Sequence, residues 1–204
     1  RPTILEMAEA DILARMPRMD WDRPPWNRWS FQHIRNFMPT AQVWRGNDRA
    51  KPLPRQEKDL LQIKFTRAHQ VSETINTFLN DSYTDAFLVM ADGYIIHESY
   101  HNGMRAETPH LMQSVSKSIT ATVTGIMIGR GELDPSALVK SYMPELAETA
   151  WAGATLQHVL DMTTGVQYSE EYTQLDSDVG KTDVASGWRP IPPNSSPDID
   201  WPAS

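Results

Sequence analysis

The sequence predicts a mixed α/β (α+β) chain, with an antiparallel sheet flanked by helices and then a mainly helical region. Three observations carry that expectation. Val71, Ile75, Phe78 and Leu79 recur at helical spacing, which predicts a helix over Ser72–Leu79. Two β-rich runs, Phe87–Met90 and Tyr94–Tyr100, flank Asp92-Gly93, a dipeptide suited to a tight hairpin turn, and Asn102-Gly103 ends the ribbon. Val115, Ile119, Val123, Ile126 and Met127 share one face of a further helix that ends near Gly129 or Gly131.

Four stretches follow one another along the chain. Residues 1–56 form an arm with seven prolines and four tryptophans. There Pro24 and Pro25 favour extended chain, and Ser30 is placed to cap a short helix through Phe37 that Pro39 stops. Trp21, Trp26, Trp29 and Trp44 can bury large area without regular structure, so the arm reads as a clamp on the rest. Residues 57–135 hold the first helix, the hairpin and the apolar helix. The last of these is rich in β-branched threonine and valine, which lower helix propensity, so it is expected to be central and held by burial. Residues 136–188 read as short helices between Pro and Gly turns, one of them capped by Thr155, running through Met162 and closed at Gly165. Residues 189–204, with five prolines in the last 15 positions, read as a loop or linker.

With 204 residues, 40% hydrophobic and 22% charged, the chain has the balance of a soluble globular protein long enough for a sizeable core. No window approaches the ~18 consecutive apolar residues of a membrane span. The N-terminal stretch has acids inside its apolar run, unlike a signal peptide. The absence of cysteine excludes disulfides, thiolate catalysis and cysteine-ligated metals, and no motif calls for a cofactor. The cytosol is the favoured compartment, although a cysteine-free chain suits the periplasm as well. Residues 1–70 carry +5 and residues 71–204 carry −12 of the net charge of −7. The arginines of the basic part are scattered among prolines and acids, so an arm lying across an acidic body is expected, with no nucleic-acid or membrane partner.

The chemistry concentrates in Ser114-Val115-Ser116-Lys117. With 15 Ser and 6 Lys in the chain, about 0.4 such Ser-x-x-Lys pairs arise by chance, so the spacing alone is a weak motif. If Ser114 opens the apolar helix, Lys117 lies one turn on and its ammonium can reach back to the hydroxyl. Desolvation and the positive end of the helix dipole would both lower the pKa of Lys117, as a base near neutrality requires. Free backbone N–H groups at the same turn could hold an oxyanion. Lys117 is the only lysine between Lys64 and Lys140, and it sits where the apolar helix would bury it. The competing reading is an exposed lysine beside an N-cap serine.

The stretches "PPWNRWSFQHIRNFMPTAQVWRG", "SVSKSIT", "LDMTTGVQYSEEY" and "DVASGW", with the strand pair around Asp92-Gly93, occur in order from Pro24 to Trp188. Together they resemble the class C β-lactamase-related serine hydrolases of the β-lactamase and penicillin-binding-protein superfamily. That branch includes 6-aminohexanoate-dimer (nylon-oligomer) hydrolase and related carboxylesterases. The resemblance implies a β-lactamase/transpeptidase-like fold, with Ser114 as acylated nucleophile and Lys117 as its base. It also implies that Tyr172 reaches the scissile amide and that Asp183 and Trp188 line the substrate pocket. A carboxylate such as Asp183 can hold the ammonium end of an amino-acid amide. The implied substrates are small linear amides or esters rather than β-lactams, and a second copy of the chain is a candidate partner.

Two further motifs of the superfamily, a Tyr-x-Asn/Ser and a Lys-Thr-Gly or His-x-Gly, fall later in the chain than the region around Trp188. Tyr100-His101-Asn102 and His101-Asn102-Gly103 precede the nucleophile, and Lys181-Thr182-Asp183 lacks the glycine. The 204 residues are therefore expected to need a C-terminal segment for full catalysis. The alternative is a penicillin-recognising or peptidoglycan-binding module without turnover. In a third reading the pair is incidental to a structural protein.

Overall fold

A computed structural model describes residues 4–68 and 71–202, which divide into two compact units, Arg1–Leu111 and Met112–Ser204. In the first unit the arm makes two short helices, α1 (Glu9–Arg15) and α2 (Asn27–Ser30), with 3-10 turns at Ile4–Glu6 and Ile34–Asn36. Its apolar side chains collapse on one another. Ile4, Ile12 and Trp29 are buried, and Met7, Met16, Trp26 and Phe37 pack against them. Trp21 meets Phe37 edge-on at 5.3 Å between centroids, and Trp29 stacks on His33 at 4.6 Å. Trp44 is the exception, standing exposed.

Ser30 does not cap a helix. It is the last residue of α2, fully buried, and its hydroxyl donates to the Trp21 carbonyl at 2.6 Å. A buried hydroxyl must find an acceptor, and here it closes the turn that contains Pro24 and Pro25, which are not in extended chain.

Strands β1 (Lys64–Arg67) and β2 (Val71–Thr74) form an antiparallel ribbon. The helix expected from Ser72 begins at Ile75 instead, as α3 (Ile75–Asp81). Thr74 decides the boundary: its backbone is extended and its hydroxyl accepts the Thr77 N–H at 3.1 Å. The hairpin follows as β3 (Ala86–Ala91) and β4 (Tyr94–Tyr100), with φ of +50° at Asp92 and +80° at Gly93, the sign a tight hairpin turn needs. Among the described residues the strands thus form two separate two-stranded ribbons, β1–β2 and β3–β4, and not one flanked sheet. Residues 54–58 run beside β4, where the Ile95 N–H donates to Pro54 O at 2.9 Å and the Lys58 N–H to Ile96 O at 2.7 Å.

A polar network joins the arm to the hairpin. Asp85 Oδ2 pairs with His110 Nε2 at 2.9 Å and its Oδ1 accepts from Asn102 Nδ2 at 2.7 Å. Asn102 Oδ1 in turn accepts from Arg28 Nη1 at 2.6 Å, and the Arg28 guanidinium lies 4.4 Å over the Tyr83 ring. The Leu111 N–H donates to Phe31 O at 2.8 Å. Within this unit the arm meets the ribbon and the segment after it through polar bonds of Arg28 and Phe31.

The second unit holds α4 (Ser116–Gly129), α5 (Val139–Tyr142), α6 (Leu156–Leu160) and α7 (Asp178–Ala185). Thr155 caps α6 in a reciprocal box with His158, the two bonds measuring 3.1 and 3.2 Å. The helix stops at Leu160, short of Met162, whose φ is +55°. α4 ends at Gly129 as its sequence predicts, yet it is not the packed central helix expected. None of its residues is buried, and Ile119 on its apolar face is 60% exposed. No helix among the described residues is long and apolar enough to cross a membrane.

Candidate active site

Ser114 sits in a 3-10 turn, Gln113–Val115, that leads directly into α4. Gln113 adopts φ +48°, a left-handed conformation that costs a non-glycine residue energy. The turn brings the serine under the first turn of the helix. Lys117 Nζ donates to Ser114 Oγ at 3.0 Å, the reach-back that three-residue spacing predicts. The surroundings differ from the expectation. Both residues are exposed, so the burial expected around Lys117 is not there. The backbone donors are also partly committed: the Val115 N–H bonds to Met112 O at 3.1 Å and the Ser116 N–H to Gln113 O.

A second group gathers on and around α7. Ser177 caps this helix by accepting the Gly180 N–H at 3.3 Å. The segment carrying both tyrosines lies along it: Tyr168 OH shares a 2.8 Å hydrogen bond with Thr182 Oγ1, and the Ser169 N–H donates to Asp178 Oδ2 at 2.8 Å. Tyr172 is 61% exposed. Desolvation first, and then the nearby Glu170, Tyr168 and Asp183, push its phenol above the ordinary tyrosine range, so it stays a neutral donor. Asp183 lies in the last turn of α7, where its carbonyl accepts the Trp188 N–H at 2.8 Å. Its carboxylate accepts from Arg189 Nε at 3.0 Å.

The predicted residues thus form two local groups, Ser114 with Lys117 and Tyr172, Asp183 and Trp188 about α7. Sequence reasoning missed Arg189. The signal was present: a glycine at 187 just past a helix end, with a basic residue two positions on, describes a chain reversal that returns a cation to the helix.

The profile of the beta-lactamase family matches residues 73–201, a stretch that includes the Ser114 turn, α4 and α7. The chain belongs to the β-lactamase family. Within that family it is 35% identical over 174 residues to the 6-aminohexanoate-dimer hydrolase of Paenarthrobacter ureafaciens, covering 85% of this chain and 43% of that protein. It also superposes on a solved structure, "Putative 6-aminohexanoate-dimer hydrolase from Bacillus anthracis", with a TM-score of 0.77 and 26% identity, over 93% of this chain and 48% of that one. The chain therefore spans less than half the length of either β-lactamase-family relative.

Proposed function

We propose that the protein is a serine hydrolase that cleaves small linear amides or esters through an acyl-enzyme on Ser114. The observation that carries the reading is the 3.0 Å contact between Lys117 Nζ and Ser114 Oγ inside the stretch matched by the family. Lys117 serves as the base that takes the hydroxyl proton as Oγ attacks the substrate carbonyl carbon. The same ammonium then returns that proton to the departing amine or alcohol. Water attacks the acyl-serine, losing a proton to Lys117, which passes it to Oγ as the acyl C–Oγ bond breaks and the acid leaves. Tyr172, neutral and exposed, serves as a donor toward the scissile group. Asp183 accepts from an N–H group at the far end of the substrate, and Trp188 lines that part of the pocket.

The site as it stands is open to water, and the Val115 and Ser116 N–H groups are already bonded. The reading therefore includes a C-terminal segment that closes over α4 and completes the set of donors. The half-exposed row Val115, Ile119, Val123 and Ile126 gives such a segment an apolar face to cover. The same openness favours, as a second reading, a penicillin-recognising or peptidoglycan-binding module that is acylated without turnover.

Labelling separates the two. A fluorophosphonate should modify Ser114 and leave Ser114→Ala untouched, and Lys117→Ala should slow acylation by several orders of magnitude. A burst of ester cleavage followed by steady turnover supports the hydrolase. Stable acylation without turnover supports the binder, and no labelling at Ser114 rejects both.

A further inference from the structure

We propose that Arg189 sets the charge selectivity of the subsite at Asp183, an inference that rests on the serine-hydrolase reading above. Gly187, at φ +71°, turns the chain back at the end of α7. The N–H groups of Trp188 and Arg189 then donate to the Asp183 carbonyl at 2.8 and 3.2 Å. That reversal returns the Arg189 side chain to the helix it follows, where Nε donates to Asp183 Oδ2 at 3.0 Å. Only 10% of the Arg189 side chain and 24% of the Asp183 side chain are exposed. A charge-assisted bond so far withdrawn from water is strong, and an arginine held at its backbone and its guanidinium is hard to displace.

One carboxylate oxygen of Asp183 is thus committed before any substrate arrives, and the pair carries no net charge. A substrate ammonium would meet Asp183 and Arg189 together, its attraction to one offset by repulsion from the other. An uncharged end with a single N–H needs only the remaining carboxylate oxygen. The substrate class that fits is a linear amide or ester whose far end is a neutral N–H donor such as an amide. Compounds ended by an ammonium gain nothing over it.

The test compares kcat/KM of the full-length enzyme for two esters of equal length, one ended by an ammonium and one by an acetamide. The unaltered enzyme should take the two alike, within about threefold. Arg189→Met frees the carboxylate and should raise the ammonium-to-acetamide ratio about tenfold or more, through KM, as expected for one charge-assisted hydrogen bond. Arg189→Lys keeps the cation and should return the ratio toward its original value. An unchanged ratio in Arg189→Met, with Ser114 still labelled by a fluorophosphonate, overturns the inference and leaves the acyl-enzyme reading standing. An equal loss on both esters also overturns it, as the mark of a structural role. Absence of labelling in the unaltered enzyme rejects the acyl-enzyme reading instead.

Discussion

The Asp85 network in the first unit and the Ser114–Lys117 turn in the second use similar polar groups in opposite surroundings. The Asp85 side chain is 5% exposed, with His110 on one oxygen and Asn102 on the other, and Asn102 is itself held by Arg28. Ser114 and Lys117 are exposed and joined by one hydrogen bond. A buried network with its partners in place rigidifies a fold, because every member loses a partner if one moves. An exposed hydroxyl with a lysine against it has little to hold together and is open to a reagent. The difference teaches that the buried, satisfied Asp85 group is architecture, and that the exposed, sparsely bonded Ser114 turn is where reaction is expected.

Removing a member of each group should break the comparison apart most visibly. Asp85→Ala leaves His110 and Asn102 without their acceptor and should lower unfolding stability by about 3 kcal/mol. Ser114→Ala should change it by less than about 0.5 kcal/mol. Urea unfolding of both variants checks this, and equal costs would contradict the assignment of roles.

The apolar residues give a second contrast of the same form. Ile12 is 1% exposed in the arm core and Ile119 is 60% exposed on α4. Ile12→Ala should cost about 2–4 kcal/mol, the usual penalty of a buried large-to-small change. Ile119→Ala should cost less than about 1 kcal/mol. A cost at Ile119 matching that at Ile12 would show the α4 face covered in solution.

A smaller effect should follow from pH. His110 faces Asp85, the Leu111 carbonyl and the edge of Phe31, with Arg28 one step away through Asn102. The hydrogen bond to Asp85 holds the imidazole above its ordinary value, and the Leu111 carbonyl adds to this against the opposing effect of burial. Only the protonated ring donates to both acceptors. The folded chain therefore keeps a proton that the unfolded chain releases as pH rises past about 6.5. The stabilisation is full below that pH and is lost as pH climbs through the raised folded value. Denaturation midpoints between about pH 6 and 8 should fall for the unaltered chain and flatten for His110→Asn. A slope that survives the substitution would assign the effect to another group.

What the sequence reveals depends on how local its cause is. The Asp92-Gly93 turn, the Thr155 cap and the end of α4 at Gly129 are each decided within a few residues, and each is found where the residues place it. The start of α3 was misread because Val71 and Ile75 fit helical spacing equally well whether or not Thr74 intervenes as a cap. Helical spacing shows that Val115, Ile119, Val123 and Ile126 share a face, but not what lies against it, so the burial of α4 and Lys117 could not be read from it. The Lys117–Ser114 bond was legible because one turn of helix fixes it. The Asp183–Arg189 pair rests on the reversal at Gly187, a local signal and not a periodic one, and the Asp85–His110 pair joins residues 25 apart in sequence, beyond any periodic signal.

The central claim is that Ser114 Oγ is the atom acylated and Lys117 the group that removes its proton. Acid-quenching a reaction with a linear ester and mapping the trapped acyl group by mass spectrometry tests it directly. The expected result is one acylated peptide carrying Ser114, formed in the unaltered protein and slowed by several orders of magnitude in Lys117→Ala. An acyl group on another residue, or acylation of Ser114 at an unchanged rate without Lys117, would contradict it.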